Sequence, residues 1–219
     1  VEKVFKKKKI NTLSGTLADK IDDEKILISV GVEGNSQGMG LKEIGINFSA
    51  NHHIAVDSNG KTNIGNIYAV GDVIGSPWLA HVSAAEGLYA VEHLVGLNPK
   101  EIDYNSVPAC TYSKPEVASI GSTEQQLLDD GIEFKVAKSF FISNGKAVAV
   151  GATDGFIKML VGKEGNILGA HIVGSNATEM ISELSVIKSN NLTVNSVLDS
   201  VHPHPTFSEA IFETLLQLK

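Results

Sequence analysis

The sequence contains one cysteine, Cys110, among 219 residues. A single thiol cannot make an internal disulfide, a cysteine-rich zinc site or a redox-active cysteine pair, so this stretch of chain supplies none of the three. No apolar run reaches the roughly 18 residues that a membrane-spanning helix needs. Positive charge is scarce: 18 Lys and Arg stand against 25 Asp and Glu, a formal net charge of -7, which argues against nucleic-acid binding. No secretory signal pattern is present. The sequence starts at Val1 and runs straight into VEKVFKKKK, as expected of a piece of a longer or processed chain. A Gly-x-Gly-x-x-Gly phosphate loop is also missing, because Gly31 to Gly40 offer no such spacing after a strand. No metal site is expected.

What remains is a globular composition: 42% hydrophobic, 20% charged, and 21 glycines. The length suits one large domain or two small ones. The first dozen residues read as a helix end running into a strand, and Lys6 to Lys9 read as a solvated helix terminus rather than a targeting signal. KILISV (25–30) is a predicted strand closed by Gly31, and 32–50 a tightly turned connection. HHIAVDS alternates in part, Asn59-Gly60 marks a turn, and NIYAV (66–70) is a second predicted strand that ends on Gly71-Asp72. Val82, Ala85, Leu88, Val91 and Leu94 fall on one helical face, with Gly96 as the stop. LNPKEIDYNSVP reads as a linker between domains. Beyond it the pattern predicts a short helix capped at Ser122 or Thr123, a strand over 133–141, a hairpin of FIKMLV and ILGAHIV, and helices over 177–189 and 207–218.

Two places suggest chemistry. Asp72 follows an apolar strand and a glycine, where a carboxylate can accept hydrogen bonds from sugar-like hydroxyls; it can equally be a turn aspartate that satisfies nearby backbone N–H groups. The tail His202-Pro203-His204-Pro205-Thr206 precedes the last helix, with Glu209 five residues after His204. A histidine with a carboxylate behind it is a natural proton shuttle. Thr206-x-x-Glu209 is also a capping box, with Thr206 as N-cap. The two readings are compatible, since a carboxylate has two oxygens.

TNIGNIYAVGDVIGSPWLAHVSAAEG resembles the second flavin-binding signature of the pyridine nucleotide–disulfide oxidoreductases, and HPHPTFSE resembles the tail signature of their dihydrolipoamide dehydrogenase branch. SVGVEGNSQGMGLKEIGI resembles the family's exit from the NAD-binding domain, and VPACTYSKPEVASIG the start of its interface domain. The four blocks stand in family order. Pro203 replaces a residue that is commonly alanine, and Val201 one that is often cysteine. Glutathione reductases, whose tail lacks the first histidine and carries paired glutamates, and mercuric reductases, which lack the histidine and end in vicinal cysteines, are disfavoured, because this chain has Glu209-Ala210 and no terminal cysteines.

The resemblance implies an α+β chain: an antiparallel-sheet interface (dimerisation) domain over 104–219, preceded by the C-terminal part of a Rossmann-like FAD-binding domain over 32–103 and the end of an NAD-binding domain over 1–31. It implies that His204 is the base toward the dihydrolipoyl thiol and Glu209 its partner. It implies that Asp72 binds the sugar part of FAD, with Gly71, Leu79, Ala80, His81 and Gly31 as lining positions. FAD and NAD would serve the full-length enzyme, a homodimer that takes lipoyl domains of 2-oxoacid dehydrogenase complexes or of the glycine cleavage system as partners. Its compartment would be the bacterial cytoplasm or the mitochondrial matrix. With no redox cysteines or phosphate loops, the 219-residue chain is expected to be inactive and colourless by itself. A hairpin between Gly15 and Lys25 is expected to be shortened. A related NAD(P)H disulfide reductase and a non-catalytic dimerisation module are the alternatives.

Overall fold

The computed structural model describes residues 1–17 and 24–219. In chain order its regular elements are α1 (Glu2–Lys7), α2 (Ala80–Leu94), β1 (Ala109–Thr111), β2 (Val117–Gly121), α3 (Glu124–Asp129), β3 (Phe134–Phe140), α4 (Gly145–Ala149), β4 (Phe156–Gly162), β5 (Ile167–Val173), α5 (Ala177–Ser189), α6 (Val194–Leu198) and α7 (Glu209–Leu216). They fall into two compact units, Val1–Gly15 with Asp103–Lys219 (the tail unit) and Thr16–Ile102 (the turn unit).

The tail unit is built on a five-stranded sheet of order β1-β2-β5-β4-β3, antiparallel at every pairing. The near-continuous apolar run FIKMLVG makes β4 a central strand, paired with β3 on one edge and β5 on the other. Its one charged residue, Lys158, reaches Glu124 of α3 at 3.0 Å. On α5 the buried residues are Ala177, Met180, Ile181, Leu184 and Ile187, one stripe at helical spacing. That stripe shares a core with Ile120 of β2, Ile157 and Met159 of β4, Ile172 of β5, and Ile211 and Leu215 of α7. Burying a side chain such as Leu184 contributes about 1.5–3 kcal/mol. Thr123 caps α3 in a reciprocal box with Gln126. At the N-terminus, α1 ends in the basic run, where Lys7 contacts Asp154 and Lys8 donates to the Lys114 carbonyl.

The turn unit has one long helix, α2, and otherwise turns and single bridges. Phe48 pairs with Ile54, and Lys61 with Tyr68. Asp57 closes the turn between them by accepting the N–H groups of Asn59 and Lys61. Gly96, with φ +81°, ends α2.

Several expectations need correction. KILISV forms no strand: Leu27 is 94% and Val30 90% exposed, and no segment pairs with it. A strand exists only as one member of a pair, and the described residues offer no partner. NIYAV is reduced to the single bridge at Tyr68 for the same reason. The last helix starts at Glu209, not 207; its first turn is a tighter one, in which the Ala210 N–H reaches the Phe207 carbonyl. The expected shortening between Gly15 and Lys25 involves residues outside the described ones. Among the described residues no helix is long and apolar enough to cross a membrane.

Candidate functional site

The tail crosses from α6 to α7 and is pinned at several points. Asn144, fully buried at the start of α4, donates through Nδ2 to the Thr206 carbonyl at 3.0 Å and accepts the Ala147 N–H at 2.9 Å. Phe207 packs on Phe141 with ring centroids 5.7 Å apart. Upstream, His202 Nε2 lies 2.8 Å from Glu183 Oε1 on α5, and its ring rests on Phe212 of α7.

Between these anchors stands His204. Its Nδ1 is 2.8 Å from Glu209 Oε1, and the other carboxylate oxygen accepts the Thr206 N–H at 2.7 Å. Thr206 does not complete the box: the N-cap of α7 is Ser208, with no side-chain cap, and the Thr206 hydroxyl donates to the Pro203 carbonyl. The Glu209 carboxylate therefore does both jobs that the spacing suggests. The Thr206 N–H first, and the His204 imidazole second, hold it below the ordinary glutamate range. The pair is asymmetric: the His204 side chain is 74% exposed, Glu209 only 19%. With Nδ1 donating to the carboxylate, Nε2 keeps its lone pair and has no partner among the described residues. This is the arrangement of an oriented base with its reactive nitrogen presented outward. Glu213, one turn along α7, is pushed above its usual value by burial and then by the charge of Glu209.

In the turn unit, Gly71–Ile74 form a short 3-10 turn ahead of α2. Gly71 has φ +78°, and a Cβ there would meet Ser83 Oγ at 2.8 Å. Its N–H donates to the buried carboxylate of Glu86 at 2.7 Å. The glycine is thus required by the turn's own packing on α2. Asp72 beside it is exposed. Leu79 is the N-cap of α2 and offers no side-chain cap, and Ala80 and His81 open the first turn. The unlidded N-terminus of a fifteen-residue helix favours negative charge. An exposed carboxylate two turns of chain earlier suits a hydroxyl-bearing chain. Gly31 lies in the exposed segment, with open space where a Cβ would sit.

Three contributors escaped the sequence reading. Glu86 sits at the spacing of Val82 and Ala90 on the buried stripe of α2, a signal that was there to be read. Asn144 is a residue type favoured at the N-cap, the position it holds on α4. Glu183, 19 residues from His202, carries no local signal at all. Among the described residues no group of three or more His, Cys, Asp or Glu could hold a metal ion.

Comparison with known proteins covers both units. The family model "Pyridine nucleotide-disulphide oxidoreductase, dimerisation domain" matches residues 107–215, and "Pyridine nucleotide-disulphide oxidoreductase" matches residues 1–87. The antiparallel sheet of the tail unit lies within the first match. The chain is 44% identical over 194 residues to a dihydrolipoyl dehydrogenase of Bacillus subtilis (strain 168), covering 88% of this chain and 41% of that protein. It is 40% identical over 208 residues to the mitochondrial dihydrolipoyl dehydrogenase of Sus scrofa, covering 94% and 41%. Among solved structures it resembles LpdA from Mycobacterium tuberculosis, with a TM-score of 0.81, 27% identity, and coverage of 85% and 41%. The HOCl-induced flavoprotein disulfide reductase RclA from Escherichia coli, at 24% identity and a TM-score of 0.77, shares the fold, with coverage of 82% and 42%. The chain thus spans less than half the length of these relatives.

Proposed function

Because the chain belongs to the pyridine nucleotide-disulphide oxidoreductases, we propose that it is the C-terminal part of a dihydrolipoyl dehydrogenase in which His204 is the general base and Glu209 orients it. The observation that carries this reading is the exposed His204 imidazole held through Nδ1 by a covered carboxylate, 2.8 Å away. His204 Nε2 takes the proton from one thiol of a dihydrolipoyl group. That thiolate attacks a cysteine disulfide supplied by another part of the assembled enzyme, and the second thiol then closes the lipoyl disulfide. The dithiol loses two electrons and the cysteine pair gains them; His204 returns the first proton to the released cysteine sulfur and then takes the proton of the second thiol as the lipoyl disulfide closes. Glu209 stabilises the imidazolium in between.

FAD, when bound, would supply two-electron transfer between the cysteine pair and NAD+. Asp72 would hold hydroxyls of its sugar part, while main-chain groups of Gly71, Leu79, Ala80 and His81 would line it at the start of α2. The dimerisation domain supports a homodimer in which the tail of one subunit serves the cysteines of the other. Phe140, Ile142, Val148 and Val150 each leave more than half of their surface exposed, an apolar supply fitting such an interface. Lipoyl domains of a 2-oxoacid dehydrogenase complex or of the glycine cleavage system are the partners this reading implies. The compartment is the cytoplasm in a bacterium or the mitochondrial matrix in a eukaryote.

In the full-length enzyme, His204→Gln is expected to slow dihydrolipoamide oxidation by about 10²–10⁴-fold. Electron transfer from NADH to an artificial acceptor that bypasses the thiols should persist. Unchanged dihydrolipoamide turnover would sink the assignment.

A further inference from the structure

The tail holds a second histidine–carboxylate pair that the proposed proton transfer does not use. His202 Nε2 lies 2.8 Å from Glu183 Oε1, and the His202 side chain is only 10% exposed. Its Nδ1 is buried and has no hydrogen-bond partner among the described residues. An imidazole left half-satisfied in a covered place is costly, and its partner Glu183 is 32% exposed, where a pair of this kind contributes little to stability. Stability alone therefore does not account for this pair.

Its position does. Glu183 projects from α5, a helix with five buried residues in the core, with Leu184 beside it fully buried. On its other side His202 meets Phe212 of α7, ring centroids 5.8 Å apart. That is the helix whose first turn supplies Glu209. His202 is thus clamped between α5 and α7, two residues before His204. The link between them is stiff. Pro203 fixes its own φ and restricts His202, and Pro205 fixes its own φ. Downstream, Asn144 and Glu209 grip Thr206. His204 is held on a short rigid span between two fixed ends.

We infer that the His202–Glu183 pair is a positioning clasp, which sets the tail's path so that the Nε2 of His204 meets the reacting thiol. The inference rests on His204 being the base. His202, 10% exposed, acts in this reading through His204 alone. A displacement of about 1 Å at a reacting centre can cost up to about 10²-fold in rate. Loss of the clasp should therefore lower kcat and leave substrate binding alone.

The test uses the full-length enzyme with dihydrolipoamide and NAD+, with the NADH-to-artificial-acceptor reaction as a second readout. Glu183→Ala is expected to lower kcat for dihydrolipoamide about 10- to 100-fold, with KM and the acceptor reaction unchanged. Glu183→Gln keeps an oxygen that accepts from His202 Nε2 and should recover most of that rate. Three results overturn the clasp while leaving the base in place: Glu183→Ala with wild-type kcat when His204→Gln is slow; a raised KM with kcat unchanged; or equal loss in both reactions, which marks general unfolding. Failure of Glu183→Gln to recover rate, when it melts like wild type, also overturns it. If His204→Gln turns over normally, there is no base to position, and both readings fall by that distinct pattern.

Discussion

In the tail unit, β4 has a neighbour along each edge and helices over its apolar residues. In the turn unit, KILISV is about as apolar as β4 and yet is exposed and without regular structure, and NIYAV keeps only one bridge. The two regions differ little in β propensity. They differ in whether a partner strand lies within reach. Propensity in a strand is mostly fit to neighbours, and without neighbours it yields nothing regular. The turn unit's order comes instead from side chains that replace a ladder: Glu86 on Gly71, Asp57 on its turn, Tyr89 on Asn59.

The sharpest way to break this contrast is at the cores. Leu184→Ala should lower stability by about 2–5 kcal/mol in denaturant unfolding. Ile28→Ala in the exposed segment should stay within about 0.5 kcal/mol. Equal losses would mean that the exposed segment is packed after all. A smaller effect, about 1–3 kcal/mol, is expected for Gly71→Ala, where a positive φ coincides with the Ser83 contact. If thermal melts show no change there, the turn on α2 is looser than its hydrogen bond to Glu86 implies.

The smallest effects are in pH dependence. Burial holds the His171 imidazole on β5 below its ordinary value, with the Ser122 carbonyl pulling the other way. The unfolded chain therefore takes up that proton first. The stabilisation from neutral His171 is complete above about pH 6.5 and is lost as pH falls through the depressed value. Glu209 and Asp57 are also held down, chiefly by the Thr206 and Lys61 N–H groups, so their contributions fade only as pH drops through the lower carboxylate range. An imidazole step thus belongs to the tail unit alone among these three groups. His171→Gln should flatten the unfolding free energy just below pH 6.5, and an unaltered profile would remove His171 from the account.

How far the sequence could be read follows the same division. The α5 stripe and the β4–β5 hairpin were legible because each pattern is satisfied inside its own unit. The helices α4 and α6 were missed: five residues are too few to show a period. At the tail, Glu209 was legible because its two partners lie three and five residues away. Glu183 was not, because its link to His202 is made only when α5 folds back onto the tail.

Asn144 adds a chemical clock to this arrangement. Asn-Gly is a dipeptide susceptible to loss of the side-chain amide, and Asn144 precedes Gly145. Here the amide is pinned at both ends and buried, which hinders attack by the following N–H. Should the nitrogen be lost, an oxygen would stand 3.0 Å from the Thr206 carbonyl, acceptor against acceptor. The hold on the histidine tail would turn from attraction to repulsion without any change in the gene. The anchorage of the tail then depends on one amide nitrogen, 62 residues away in sequence from the carbonyl it holds.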